Sequence, residues 1–300
     1  MPSRLFVGRP WSITMFAEQQ REYLDKGYTK IESFFSAEEV AKILEDVKQI
    51  ELGAIGVASD NETYQFEKKN GETTKLLRRV ENPHLYFDAI DSLVRSEKIV
   101  DLLRHFLGEN IRLHNSKINF KPPSGAPVQW HQDWAFYPHT NDDFLTLGIF
   151  LDETSEKNGA MACLPGSHKG KVYDHRNVET GEFCHAISRS NWDEALDPTE
   201  GELLTGPVGT VTLHHVRTLH GSGPNHSTIR RRFLLIGYAA ADAWPLLGCG
   251  NYGDYESLMV SGRSTVFPRM VELPLTVPYP LSMYGDRIFE SQRALTQKYY

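Results

Sequence analysis

His131 and Asp133 stand two residues apart in Trp130-His131-Gln132-Asp133-Trp134, and a further histidine opens the distant run His220-Gly-Ser-Gly-Pro-Asn-His-Ser-Thr-Ile-Arg-Arg-Arg232. Two imidazoles and one carboxylate are the donor set that holds Fe(II) on one face and leaves coordination positions open for a co-substrate and O2. An arginine cluster, Arg230 to Arg232, begins ten residues beyond His220. A guanidinium fork grips carboxylates through two parallel hydrogen bonds, so it can hold a dicarboxylate such as 2-oxoglutarate against the metal. Together the two readings describe an oxygenase.

A His-x-Asp pair alone is weak, because a chain with 12 His and 16 Asp in 300 residues contains about 0.6 of one by chance. Its position strengthens it. The pair follows a strand-like run and the loop Pro122-Pro-Ser-Gly-Ala-Pro127. In extended backbone residues i and i+2 share a face, so His131 and Asp133 aim at one point while Gln132 aims away. For the third ligand, His214 and His215 at a strand end and His226 compete with His220. His220 is preferred because the small residues after it permit a close backbone approach and because the arginines follow it at a useful distance. Strand alternation separates Arg231 from Arg230 and Arg232 and gives it the parity of Phe233, Leu235 and Gly237. Arg231 is therefore the choice for the carboxylate anchor, with its neighbours as alternates. The competing reading is an exposed basic strand edge that discourages aggregation. His168 reads as a turn residue, and His139, His175 and His185 as loop histidines.

The elements that must position these groups change character along the chain. The first third reads mainly as helices. Phe16 to Lys26 stops at Gly27, and Ser36-Ala-Glu-Glu39 is a capping box opening a helix with Val40, Ile43, Leu44 and Val47 on one face. Ile99, Leu102, Leu103, Phe106 and Leu107 repeat at helical spacing before Gly108. Strand-like runs follow at 111–121, 144–151, 208–213 and 232–238, and Asn158-Gly159 is a hairpin signal. Helices followed by many strands predict a mainly β fold with flanking α-helices, an antiparallel double-sheet roll. The expectation is one domain over 1–300, with a helical part about 1–108, a β-roll about 109–242 and a C-terminal extension 243–300. Gly170 to Leu204 is polar and poorly periodic, as an insertion over the roll's mouth would be.

Composition is that of an ordinary globular protein, 40% hydrophobic and 24% charged. A net charge of −7 argues against nucleic acid as a partner. Three cysteines without paired spacing fit a reducing compartment. No run of 18 apolar residues exists to span a membrane, and the first residues lack a secretory signal. The expectation is a cytoplasmic protein, monomer or homodimer, acting on a small molecule.

The motifs Trp130-His-Gln-Asp-Trp134, Asn158-Gly159 before Leu164-Pro-Gly-Ser-His168, and Leu219-His-Gly-Ser-Gly-Pro-Asn225 with Arg231 resemble the phytanoyl-CoA dioxygenase superfamily, from roughly Phe16 to Ala241. The resemblance implies a double-stranded β-helix of the jelly-roll or cupin kind. It implies Fe(II) on His131, Asp133 and His220, with 2-oxoglutarate as co-substrate and O2 as oxidant. Its anchor falls on Arg231 with Ser222 beside it, and Asn119 and Lys121 match co-substrate contacts of two branches. Related halogenases lack the triad Asp, so Asp133 favours oxygen transfer. The peroxisomal Arg-Leu-x5-His-Leu signal is absent, since Trp11-Ser12 stands at the required spacing after Arg4-Leu5. The implied reaction is hydroxylation of an unactivated C–H of a small, largely aliphatic metabolite with release of succinate and CO2. Secondary-metabolite tailoring, for example of a polyketide, leads over acyl-CoA or lipid substrates. Trp134, Phe136 and Tyr137 are expected along the pocket wall and Arg79, Arg217 and Trp244 at its rim. The alternatives are a non-catalytic metal-binding jelly roll that senses a ligand, and a zinc hydrolase on the same donors.

Overall fold

The computed structural model describes residues 16–68, 75–192, 197–273, 292, 295 and 298–300. The first 15 residues, where a targeting signal was sought, and residues 274–291 of the expected extension therefore lie outside the described residues. The helices are α1 (Ala17–Lys26), α2 (Ala37–Gly53), α3 (Asp88–Val94), α4 (Glu97–Leu107) and α5 (Tyr252–Ser257). The strands are β1 (Tyr28–Ile31), β2 (Tyr64–Lys68), β3 (Lys75–Glu81), β4 (Ile111–Lys121), β5 (Val128–His131), β6 (Phe144–Phe150), β7 (Met161–Cys163), β8 (Glu202–Leu204), β9 (Val211–His215), β10 (His220–Ser222), β11 (Arg231–Ala240) and β12 (Met259–Ser261). They form two antiparallel sheets. The larger runs β1-β9-β6-β11-β4-β3-β2, with β12 on β4, and the smaller runs β5-β10-β7-β8.

Local signals explain the helix ends. Ser36 Oγ accepts from Glu39 N at 3.2 Å and Glu39 Oε2 accepts from Ser36 N at 2.7 Å, closing the capping box on α2. Gly27, at φ +89°, ends α1 in the left-handed conformation that glycine adopts without strain. The helices cover one face of the large sheet. Ile99, Leu102 and Leu103 of α4 meet Leu145, Leu147 and Ile149 of β6 and Leu234 and Ile236 of β11 in one core. Each such buried side chain stabilises by about 1.5–3 kcal/mol. The opposite face of the same strands looks into the roll, where Phe150, Phe233 and Leu235 pack with Met161 and Cys163 of the small sheet. The roll is tight at Gly148: a Cβ there would lie 2.4 Å from the Phe233 ring.

Three expectations change. The first third contributes β1, β2 and β3 to the large sheet as well as its helices. The run expected to begin at Val208 begins at Val211, because Thr210 N and Oγ1 both bond Pro207 O and Gly209 turns at φ +82°. Asn158-Gly159 makes no hairpin: β6 and β7 lie in different sheets, and a 3-10 turn, Glu156–Asn158, carries the chain across. No helix among the described residues is long and apolar enough to cross a membrane.

Candidate active site

His131 ends β5, Gln132 stays extended at φ −118° and ψ 129°, and Asp133 opens a 3-10 turn, so the two donors keep their common direction although Asp133 has left the strand. β10 sets His220 opposite His131 in the ladder. The ligating atoms of His131, Asp133 and His220 all lie within 4.8 Å of one another, and all three residues are buried. His131 Nδ1 lies 2.8 Å from Gln129 O and His220 Nδ1 2.9 Å from Thr218 O, so each ring donates backward and leaves Nε2 as a lone pair facing Asp133 Oδ1 at 3.9 Å. Asp133 Oδ2 accepts from Thr146 Oγ1 at 2.9 Å and faces His214 Nε2 at 3.3 Å, which frees Oδ1 for a cation. Burial alone would raise the Asp133 carboxyl, but Lys117, His214 and His220 outweigh it and hold it well below the usual range. Burial, with neighbouring His220, pushes His131 well down, and burial with His214 lowers His220 to about 4. Three deprotonated donors converge at neutral pH, which is what a divalent metal requires.

The competing histidines are resolved by contact. His214 orients Asp133 from behind, and His215 sits 3.8 Å from Asp142, between Tyr23 and His168, away from the donors. The predicted loop histidines His139, His175 and His185 are all buried. His175 Nε2 accepts the Gln132 N–H at 2.9 Å.

Beside the triad lies a small pocket of about 50 Å³. Arg231 lines it, 4% exposed, and its Nε and Nη1 have no hydrogen-bond partner among the described residues. Burial and nearby Arg78 push Arg231 down to about 9, as expected of a cation lacking its anion. Its neighbours point elsewhere: Arg230 pairs with Glu51 at 2.8 Å, and Arg232 forks onto Asp152 at 2.6 and 2.9 Å. Lys121 Nζ donates to Ser222 Oγ at 2.7 Å and to Gly223 O at 2.5 Å. Burial, then Arg231 and Arg78, pull its ammonium well below the usual lysine range. Asn119 lines the same pocket, its Oδ1 accepting from Arg79 Nε at 2.8 Å. Gly159, read from the sequence as a hairpin glycine, has a different task here: a Cβ there would stand 2.6 Å from Gly223 O and 2.8 Å from Lys121 Cδ, closing the path that Lys121 takes.

On the other side of the donors a wider chamber of about 960 Å³ opens outward, with Phe136 and Tyr137 on its wall as expected. Its remaining wall comes largely from the unforeseen β3 and from β4. Arg79 Nη1 bonds Glu81 Oε1 at 3.1 Å, Gln65 Nε2 reaches the same oxygen at 3.3 Å, and Lys117 is the ladder partner of Glu81. The Lys117 ammonium makes no hydrogen bond or ion pair with any described residue, and Lys117 lines both spaces. One wall assignment and two rim assignments fail. Trp134 is fully buried against Phe144, Val216 and Ala243, because the 3-10 turn swings it behind the donors, its backbone N–H bonding Val216 O at 2.8 Å. Arg217 is held by Asp142 at 3.1 Å and by Gly170 O. Trp244 donates to Thr265 O at 3.0 Å and packs on Tyr252 and Tyr255. Gln132, aimed away as expected, ties the polar 170–192 stretch down through Lys171 O, Arg217 O and Tyr173 N. That stretch brings Phe183 and His185 onto Phe136, at 5.7 and 4.8 Å between ring centroids.

Residues 23–233 match the family model described as phytanoyl-CoA dioxygenase (PhyH). The chain is 32% identical over 184 residues to L-proline trans-4-hydroxylase of Streptomyces griseoviridis, covering 56% of this chain and 69% of that protein. It is 25% identical over 237 residues to the ectoine dioxygenase of Bordetella bronchiseptica, covering 74% of each. EctD from S. alaskensis, solved with 2-oxoglutarate and 5-hydroxyectoine, superposes with a TM-score of 0.63 at 23% identity, over 87% of this chain and 86% of that one. The carbocyclase SnoK from nogalamycin biosynthesis superposes with 0.62 at 23%, over 85% and 93%. The double-stranded β-helix and the family model agree: this chain belongs to the phytanoyl-CoA dioxygenase family of Fe(II)- and 2-oxoglutarate-dependent oxygenases.

Proposed function

We propose that the chain hydroxylates a small polar metabolite bearing charge, of the amino-acid or cyclic amino-acid-derivative class, with His131, Asp133 and His220 as the iron ligands. The observation that carries the co-substrate assignment is the buried guanidinium of Arg231, whose Nε and Nη1 lack partners among the described residues in a pocket beside the donors. A dicarboxylate's far carboxylate answers it, with Lys121 and Ser222 as further donors to the same group. When bound, Fe(II) and 2-oxoglutarate supply the activation of O2 and the cleavage of the substrate C–H bond, with succinate and CO2 released. The chain's own part is placement. Thr146 and His214 hold one oxygen of Asp133 back, the Gln129 and Thr218 carbonyls hold the imidazoles in the ligating tautomer, and Phe136 with His185 shields the donors from water.

The substrate class rests on the chamber. Arg79, Glu81, Gln65 and Lys117 make a wall of both charge signs, which suits a ligand carrying ammonium and carboxylate better than the aliphatic metabolite expected from the motifs. The names of the similar proteins, L-proline trans-4-hydroxylase and ectoine dioxygenase, run the same way. Screening free amino acids and their cyclic derivatives for substrate-dependent succinate formation tests this. Turnover with a zwitterion supports the assignment; turnover confined to neutral lipophilic compounds contradicts it.

A further inference from the structure

His131 sits on an edge strand, and its ring is aimed by a peptide group that the sheet itself does not hold. β5 pairs only with β10, and between His131↔His220 and Val128↔Ser222 the register slips, leaving Gln129 and Trp130 opposite the single residue Gly221. Such a bulge takes ladder groups out of their pairing and commonly re-aims a side chain next to a site. The carbonyl of Gln129 accepts from His131 Nδ1, and the N–H of Gln129 finds its partner 163 residues away, in Gln292 Oε1 at 3.0 Å. Gln292 is 5% exposed, and its amide nitrogen donates to His185 O at 2.8 Å. Its two contacts lead back to the same imidazole. One runs through the Gln129 backbone. The other runs through His185, which holds a left-handed backbone at φ +57° and lays its ring 4.8 Å from that of Phe136, itself 5.6 Å from His131. A non-glycine residue at that φ is strained, and it persists where surrounding bonds over-determine it.

We propose that Gln292 is a positioning residue for His131: its single amide fixes both the backbone behind the imidazole and the aromatic cover in front of it. Nearby, the N–H groups of Tyr299 and Tyr300 reach Gln129 Oε1 at 3.1 and 3.3 Å, so the same residue of β5 is gripped twice. The inference rests on reading His131 as an iron ligand. Groups that orient a metal-bound histidine from outside typically change metal affinity by 10–100-fold when removed.

The test is Gln292→Met in the full chain, which keeps length and apolar bulk but removes both hydrogen bonds. Anaerobic Fe(II) titration against a competing chelator should show a dissociation constant raised at least about tenfold. Leu295→Ala is the control, since Leu295 is buried with Cys184 and Ala186 in the same region and its aliphatic side chain makes no hydrogen bond. It should lower the Tm while leaving Fe(II) affinity within about twofold of wild type. Equal Fe(II) affinity in wild type and Gln292→Met overturns the inference and leaves the iron assignment standing. Loss of affinity in both variants in proportion to lost Tm also overturns it, because Gln292 is then only part of the packing. Wild-type protein that binds no Fe(II) removes the metal site itself, and the inference with it.

Discussion

The pocket beside the donors and the chamber in front of them share Arg79, Lys117, His131 and Asp133 but are built on different electrostatics. In the pocket, Arg231 and Lys121 stand close together, and Asp133 is the one carboxylate among its described lining residues. In the chamber, Arg79 is matched by Glu81, Gln65 bridges to the same carboxylate, and Lys117 faces the opening without a partner among the described residues. A pocket with unanswered positive charge is prepared for one anionic ligand that is always the same. A chamber with near-balanced charge and a wide mouth discriminates among substrates by arrangement instead.

That contrast can be broken by substitution, beginning with the donors both spaces share. Asp133→Ala should abolish Fe(II) binding and turnover, read by metal analysis after anaerobic reconstitution. Arg231→Met should weaken 2-oxoglutarate by about 2–5 kcal/mol, since it leaves a carboxylate without its partner in a buried site. It should leave Fe(II) binding intact. Leu102→Ala, in the helix-covered core behind both spaces, should cost about 2–5 kcal/mol of unfolding free energy by denaturant titration and leave both affinities alone. Lys117→Met should sharpen the comparison: about 1.5–3 kcal/mol lost in substrate KM or Kd, with the 2-oxoglutarate Kd changed little. A larger effect on 2-oxoglutarate than on substrate would move Lys117 from the chamber to the pocket.

Acid reaches both spaces through the scaffold. Burial lowers His84, His139 and His175 to about 4, against an ordinary imidazole near 6.5. From pH 6.5 down to about 4 the unfolded chain takes up protons that the folded chain refuses. Stability is therefore full above about 6.5 and falls as pH drops through that window. Urea midpoints of metal-free protein at pH 7 and pH 5 measure it; equal midpoints would mean these rings are protonated in the fold.

Legibility in the sequence followed how local the signal was. Capping at Ser36, the glycine stop at Gly27 and the strand 111–121 are set by neighbours and came out where periodicity put them. The convergence of His131, Asp133 and His220 was legible from alternation and motif order, as was the inward direction of Arg231. β2 and β3 were not, because Gln65, Glu67, Arg79 and Glu81 interrupt the apolar pattern. Lys117 was within reach, since it shares strand parity with Asn119 and Lys121, but nothing local showed that β3 would turn that face into a chamber wall. Trp134 was misread because a 3-10 turn, not a strand, follows His131. The grip of Gln292 on Gln129 spans 163 residues and has no local trace.

The central claim is that Arg231 holds 2-oxoglutarate against iron bound by His131, Asp133 and His220. Anaerobic titration of Fe(II) and then 2-oxoglutarate into purified protein tests it directly, by the weak visible charge-transfer band of the iron–2-oxoglutarate chelate. The account predicts a saturable band in wild type that needs a much higher 2-oxoglutarate concentration in Arg231→Met and is absent in Asp133→Ala. Iron demonstrably bound with no band at any 2-oxoglutarate concentration would contradict it.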